Sequence, residues 1–156
     1  MFKVIKYEDS FYEEVVNLNL RKSDILEVEA ANATNYKDVL KNIVIRFKNN
    51  INLILYNNKV SAIFGVLPST KEILTASIFF LSDDNFINYK LIGTKYAKQV
   101  FIPANREKFR YLVNFVSIKN QVSIKWLRIL GAKFEQKIYK LKDKKTKFLK
   151  FYIKNL

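Results

Sequence analysis

A change of hydrophobic period near residue 50 limits the folds open to this chain more than any other feature. Before it, Val39, Leu40, Ile43, Val44 and Phe47 recur at three- and four-residue steps, which predicts a helix over residues 36–48 with one apolar face. After it, residues 52–56 and 59–66 are short β-rich runs, and Asn57-Asn58 between them tolerates the positive φ of a tight hairpin. Val60, Ala62, Phe64 and Val66 then share one face of a strand. Both helices and a sheet are needed, and the order of elements decides how they layer.

The rest of the chain extends the pattern. Residues 3–7 read as a strand. Asp9-Ser10 is placed to cap a helix over 10–19, and Ser23-Asp24 to cap another carrying Ile25, Leu26, Val28 and Ala31. Residues 73–81 read as a third strand of the central group, ended by Ser82-Asp83-Asp84-Asn85, and a helix follows over 87–101 until Pro103 interrupts or reshapes it. Residues 112–118 form a strand. Asn120 then caps a helix in which Val122, Trp126, Ile129 and Leu130 line one face and Gly131 is the stop. Residues 133–141 and 147–154 pair across the turn Lys142-Asp143-Lys144-Lys145. Helices alternate with strands too irregularly for a doubly wound sheet. With only three Gly and two Pro, the chain offers no linker at which to divide it.

Composition narrows the chemistry. Cys and His are absent, which excludes disulfides, thiolate nucleophiles, Cys/His zinc sites and every triad built on imidazole. Acid or base chemistry falls to carboxylates, Tyr, Lys or water. The N-terminal residues lack a signal-like apolar stretch, and no run is long and apolar enough to span a bilayer, so the expectation is a protein made and folded in a cytoplasm.

The segment from Val116 to Phe134 resembles the closing motif of the GNAT (Gcn5-related N-acetyltransferase) enzymes. In that family an Asn leaves a strand, a small residue follows at the third position, an aromatic at the seventh and a Gly at the eleventh. Asn120, Ser123, Leu127 and Gly131 stand at those spacings. The segments Leu20–Ala31, Ala62–Pro68 and Leu112–Val116 resemble, in the same order, the GNAT-like proteins of short-tailed phages, a group of internal virion proteins and acyltransferase-like proteins. The resemblance covers roughly residues 3–140. It implies an α+β fold, a single GNAT-like domain over residues 1–156 with a central, mostly antiparallel twisted sheet flanked by helices. It also implies location in a virion after synthesis in the host bacterial cytoplasm, contacts with other virion proteins, and oligomers as an option.

A GNAT enzyme holds acetyl-CoA with backbone N–H groups from a Gly-rich turn at a helix N-terminus, where an anion meets free donors and the helix dipole. The family pattern is Arg or Gln, two residues, Gly, one residue, then Gly or Ala. Lys90-Leu91-Ile92-Gly93-Thr94-Lys95 is the nearest match, with Lys leading and Lys95 where a small residue is wanted. Asn120, Gly93 and Lys90 are therefore the residues the resemblance offers to acetyl-CoA. Asn120 equally serves as a helix cap, and Asp83 and Asp84 beside the loop would repel a pyrophosphate. The usual proton-donating Tyr of the family is replaced by Leu127, and Tyr89, Tyr96 and Tyr111 are read as packing or surface rings. No catalytic residue is assigned. The expectation is a protein without a cofactor, catalytically degenerate and structural, with acetyl-CoA-dependent N-acetyl transfer as the alternative.

Charge is the remaining signal. The chain holds 28 Lys and Arg against 14 Asp and Glu. From Lys119 onward 12 basic residues face only Glu135 and Asp143. In a basic hairpin over 133–154, Lys142, Lys144, Lys145 and Lys147 gather at one turn, a candidate contact for packaged DNA or an acidic partner, with Phe148, Phe151 and Tyr152 interleaved.

Overall fold

The computed structural model describes residues 1–154. Strand β1 (Phe2–Lys6) leads through a 3-10 turn into α1 (Tyr12–Val16), α2 (Lys22–Asn32) and α3 (Tyr36–Phe47). Strands β2 (Ile51–Tyr56), β3 (Lys59–Pro68) and β4 (Thr75–Ser82) follow. Then come α4 (Phe86–Tyr96), α5 (Ile102–Ala104), β5 (Tyr111–Ser117), α6 (Gln121–Ile129), β6 (Lys133–Lys140) and β7 (Lys147–Lys154). The seven strands form one sheet in the order β1-β2-β3-β4-β5-β7-β6. Every neighbouring pair is antiparallel except β4 and β5, which run parallel because α4 and α5 form the crossover between them.

Helices cover both faces of the sheet. On one face Leu53, Ile63 and Leu81 pack under Val15, Leu40 and Val44 of α1 and α3. On the other, Ile54, Ala62 and Phe64 meet Phe86 and Tyr89 of α4, and Ala76, Leu112 and Val116 meet Ile124 and Leu127 of α6 and Leu130 at its C-terminal end. Strand β3 is central and buried from Val60 to Val66, so both of its faces read as apolar rather than the one expected from alternation.

Local signals placed most boundaries within a residue or two. Asn57 and Asn58 both take positive φ, 52° and 66°, as a two-residue hairpin turn requires. Gly131, at φ 94°, ends the helical path of α6 in a conformation costly for any side chain. Asn35 caps α3, its side-chain oxygen accepting the Asp38 N–H at 3.0 Å.

Three expectations are corrected. The helix expected over 10–19 is a 3-10 turn and a single turn of α-helix. Leu18 and Leu20 are both buried, an alternation that suits extended chain, and the Arg21 N–H is drawn to the Ser82 carbonyl at 2.8 Å. Strand β4 starts at Thr75 rather than 73 because Leu74 sits at φ 63°, where its carbonyl takes the N–H groups of Arg110 and Tyr111. Pro103 does not stop the helical path. Residues 97–101 widen into a π turn, which absorbs the donor that proline lacks, and α5 continues to Ala104.

The feature that shapes any site is the parting of β4 and β5. They pair only at Thr75 with Tyr111, Ala76 with Leu112 and Ser77 with Val113. Beyond that, β4 stays with β3 and β5 with β7, and the two strands diverge into a V. The Asn114 side chain spans the start of the gap, donating to the Ile78 carbonyl at 2.7 Å.

Gly65 marks a close approach of the chain ahead of β2 to the interior strand β3. A Cβ there would lie 2.1 Å from the Asn50 carbonyl oxygen and 3.2 Å from the Phe79 ring. Gly65→Ala is expected to lower the stability of the folded chain by about 3 kcal/mol, measured by urea unfolding, with the change falling in the midpoint rather than the slope.

Candidate functional site

The V between β4 and β5 opens into a cleft of about 590 Å³. Its walls are Ser77–Leu81 of β4, Asn114–Val116 of β5, the inner face of α2, Arg46 and Phe47 of α3, and Ser123, Trp126 and Leu127 of α6. Alternate residues of a strand present their backbone groups to the same side. The Asp83 N–H points back to the Ser61 carbonyl of β3 at 2.8 Å, so Ser82 presents its own N–H and carbonyl to the cleft.

Both groups of Ser82 are already engaged by the start of α2. Its N–H donates to Asp24 Oδ2 at 3.0 Å, and its carbonyl accepts the Arg21 N–H at 2.8 Å. Asp24 is only 6% exposed. The Arg21 guanidinium holds it with Nη2 at 3.0 Å from Oδ1 and Nε at 3.2 Å from Oδ2, and also lies over the Phe86 ring at 4.9 Å. Burial pushes the Asp24 carboxyl above the usual carboxylate range, and the charge of Arg21 and the Ser82 N–H pull it part of the way back.

Glu27 lies three residues on, the spacing that keeps two side chains on one face of a helix. It accepts the side-chain amide of Asn120, and the Ser117 N–H at the C-terminal end of β5 faces the same carboxylate. Asp24 therefore binds the end of β4, and Glu27 faces the end of β5 and binds Asn120 just beyond it. Helix α2 lies across the open end of the V and ties together the two strands that the sheet itself leaves unpaired. Burial raises the Glu27 carboxyl to about 7, with the neighbouring Asp24 charge adding to the rise and the Asn120 and Ser117 bonds opposing it.

The sequence-derived site residues fall apart in space. Asn120 is at the cleft, but its side chain is spent: the oxygen caps α6 through the Ser123 N–H at 3.2 Å, and the amide nitrogen donates to Glu27. Lys90 and Gly93 lie in the interior of α4, four and seven residues past its first residue. Gly93 packs beside Tyr89, Phe86 and Phe2, with room for a Cβ at ordinary contact distance, and forms no phosphate-sized cradle. The actual connection from β4 to α4 is only Asp83-Asp84-Asn85. Asp83 Oδ1 accepts the Asn85 N–H at 3.0 Å and the Ser61 hydroxyl at 2.6 Å, so a carboxylate of the chain itself sits at the helix start. A six-residue Gly-rich pattern has no room in this connection. The residues present do not fit the pyrophosphate of acetyl-CoA.

Leu127, at the position of the family's Tyr, is buried on the inner face of α6. Tyr89, Tyr96 and Tyr111 do not line the cleft. Tyr89 shares a hydrogen bond with Ser61 at 2.9 Å, and burial pushes its hydroxyl up to about 12. Trp126 bridges the cleft and the aromatic core behind it, stacking near Phe80 and Phe86 and donating from Nε1 to Thr94 Oγ1 at 2.8 Å. Asp24 and Glu27 were missed from sequence; their only signal was two acids three apart among Ile25, Val28 and Ala31.

Comparison with solved structures gives the parted V its context. Over 99% of its length the chain superposes on the Ard1 protein of Thermoplasma volcanium, covering 98% of it, with TM-score 0.71 and 12% identity. A GNAT-family acetyltransferase of Bacillus anthracis gives TM-score 0.71 at 13% identity, over 99% of this chain and 95% of that one. The fold is that of the GNAT acetyltransferases. The ribosomal-protein-S18-alanine N-acetyltransferase of Escherichia coli matches at TM-score 0.66 and 15% identity, over 99% and 94%. No family model matches the GNAT-fold chain, and no curated protein matches its sequence.

The raised Glu27 carboxyl has a measurable sign. Between the ordinary carboxyl value of 4.5 and about 7, the folded chain binds more protons than the unfolded chain. The contribution of Glu27 is fully present below 4.5 and is lost as pH rises through 7. Relative to Glu27→Gln, the native chain is expected to lose on the order of 2 kcal/mol between pH 4.5 and 8, read from urea unfolding at a series of pH values.

Proposed function

We propose that this chain is a GNAT-fold protein that transfers no acyl group and serves as a non-catalytic binding or assembly domain. One observation carries the reading: the helix start that a GNAT enzyme offers to the cofactor pyrophosphate is reached by three residues, and Asp83 already takes the Asn85 N–H with its carboxylate and the Phe86 N–H with its carbonyl. An incoming phosphate would have to displace that carboxylate against the charge of Asp83 and Asp84. Further along the same edge, the backbone of Ser82 is held by Arg21 and Asp24, and the carbonyl of Ile78 by Asn114. The parts of the V that would grip an extended ligand grip the chain instead.

Acyl transfer to an amine is the second reading, favoured by Glu27. A carboxyl that titrates near 7 inside a cleft is suited to take a proton from an ammonium group at neutral pH. The N-acetyltransferase activities of the structural neighbours agree with it.

Isothermal titration calorimetry with acetyl-CoA, and separately with CoA, at physiological salt decides between them. With a folded sample, no heat of binding is expected from either ligand. Saturable binding at micromolar affinity would transfer support to the second reading, and loss of turnover in Glu27→Gln would then identify the base.

A further inference from the structure

We propose that the turn joining β6 and β7 binds the phosphate backbone of nucleic acid without reading its sequence. This inference rests on the lysines of the turn, of which Lys142 also borders the cleft, and not on what the cleft holds.

Residues 140–147 contain five lysines and a single acid, Asp143. All five lysines are exposed, and none belongs to an ion pair among the described residues, where the pairs are Arg21 with Asp24, Lys48 with Asp9 and Lys150 with Glu135. Asp143 does not neutralise them through a salt bridge. Its carboxylate accepts the Lys145 N–H at 3.0 Å, the Thr146 N–H at 3.1 Å and the Thr146 hydroxyl at 2.6 Å, and these bonds hold its carboxyl below the usual range. Its own N–H reaches the Ala30 carbonyl at 3.1 Å, which fixes the turn against the end of α2. Lys144 takes the left-handed conformation at φ 58°, so the lysines are presented by a shaped turn rather than a loose loop.

The hairpin also tolerates an internal cost. Lys140 and Lys147 are directly opposed across the antiparallel ladder, an arrangement of like charges that destabilises the pair. A polyanion bound at the turn would relieve it.

The chemistry selects among anions. The hairpin contains no Arg, the residue whose planar fork matches a carboxylate, and Lys acts as a point charge that phosphate accepts from any direction. Phe148 and Phe151 are buried under the sheet, so they do not stack on bases, and the interleaved aromatics give no sequence readout. The turn residues include no exposed large apolar side chain that would anchor in a bilayer.

Fluorescence anisotropy of the full chain with two 20-base-pair duplexes of unrelated sequence, from 50 to 200 mM KCl, tests the proposal. Equal affinity for both duplexes and a linear fall of log affinity with log salt are expected. The triple variant Lys142→Gln, Lys144→Gln, Lys145→Gln should flatten the salt slope by about 3, at roughly 0.9 for each phosphate no longer neutralised. A control triple on the opposite end of the sheet and on α3, Lys3→Gln, Lys37→Gln, Lys41→Gln, carries the same charge change and should leave the slope nearly intact, with thermal melts verifying that both variants fold. The proposal is overturned if the control flattens the slope equally, if one duplex is strongly preferred, or if the chain binds phosphatidylserine vesicles and neither duplex.

Discussion

The structure hangs on the way α2 closes a gap that the sheet leaves open. β4 and β5 share only three paired positions, and past Ser77 their facing edges have no strand between them. An unpaired edge inside a protein needs partners, since buried N–H and carbonyl groups left without them cost as much as a missing hydrogen bond. Asp24 supplies one for Ser82, and the Glu27 carboxylate faces the Ser117 N–H while binding Asn120. Arg21, whose own N–H bonds the Ser82 carbonyl, partly neutralises the buried acid beside it. The helix acts as an internal ligand of the V, and the space left around it is a cleft with its strongest backbone contacts already made.

This arrangement joins stability to ionisation. Two carboxylates lie on one helix face, both raised chiefly by being drawn out of water; the Asp24 charge adds to the rise of Glu27, and Asp24 alone has the guanidinium bonded to it. Elsewhere the electrostatics are of the opposite sign: the chain carries a net charge of +14, concentrated toward the C-terminal hairpin, whose Lys142 borders the cleft. Asp24 and Glu27 face inward, Asp83 and Asp143 sit in partly exposed turns, and Asp24, Asp83 and Asp143 each accept backbone N–H groups. The lysines are left to solvent and to whatever anion approaches.

The layered fold was largely legible because its signals are local. The period change at residue 50, the Asn57-Asn58 turn, the Asn120 cap and the Gly131 stop each act over a few residues, and each appears where expected. The boundary between β4 and α4 was legible in its Ser-Asp-Asp-Asn composition, yet the resemblance drew the cofactor loop eight residues later, onto Lys90 and Gly93. A glycine there is compatible with helix, and tertiary packing against Phe2 and Tyr89 settles the matter. What the sequence hid was long-range: Asp24 meets Ser82 at a separation of 58 residues, and Glu27 meets Asn120 at 93. No periodicity or spacing rule reports a contact of that kind, and an acid near a helix start reads as favourable dipole chemistry whatever it touches.

Amide hydrogen exchange at Ser82 and Ser117, followed residue by residue by NMR, tests the bridge most directly. If α2 satisfies both strand ends from within the chain, these two amides exchange slowly in the protein alone, and a saturating addition of acetyl-CoA leaves their rates unchanged. Rapid exchange at both, or protection that arises only when acetyl-CoA is added, would mean that the V is built to be filled from outside.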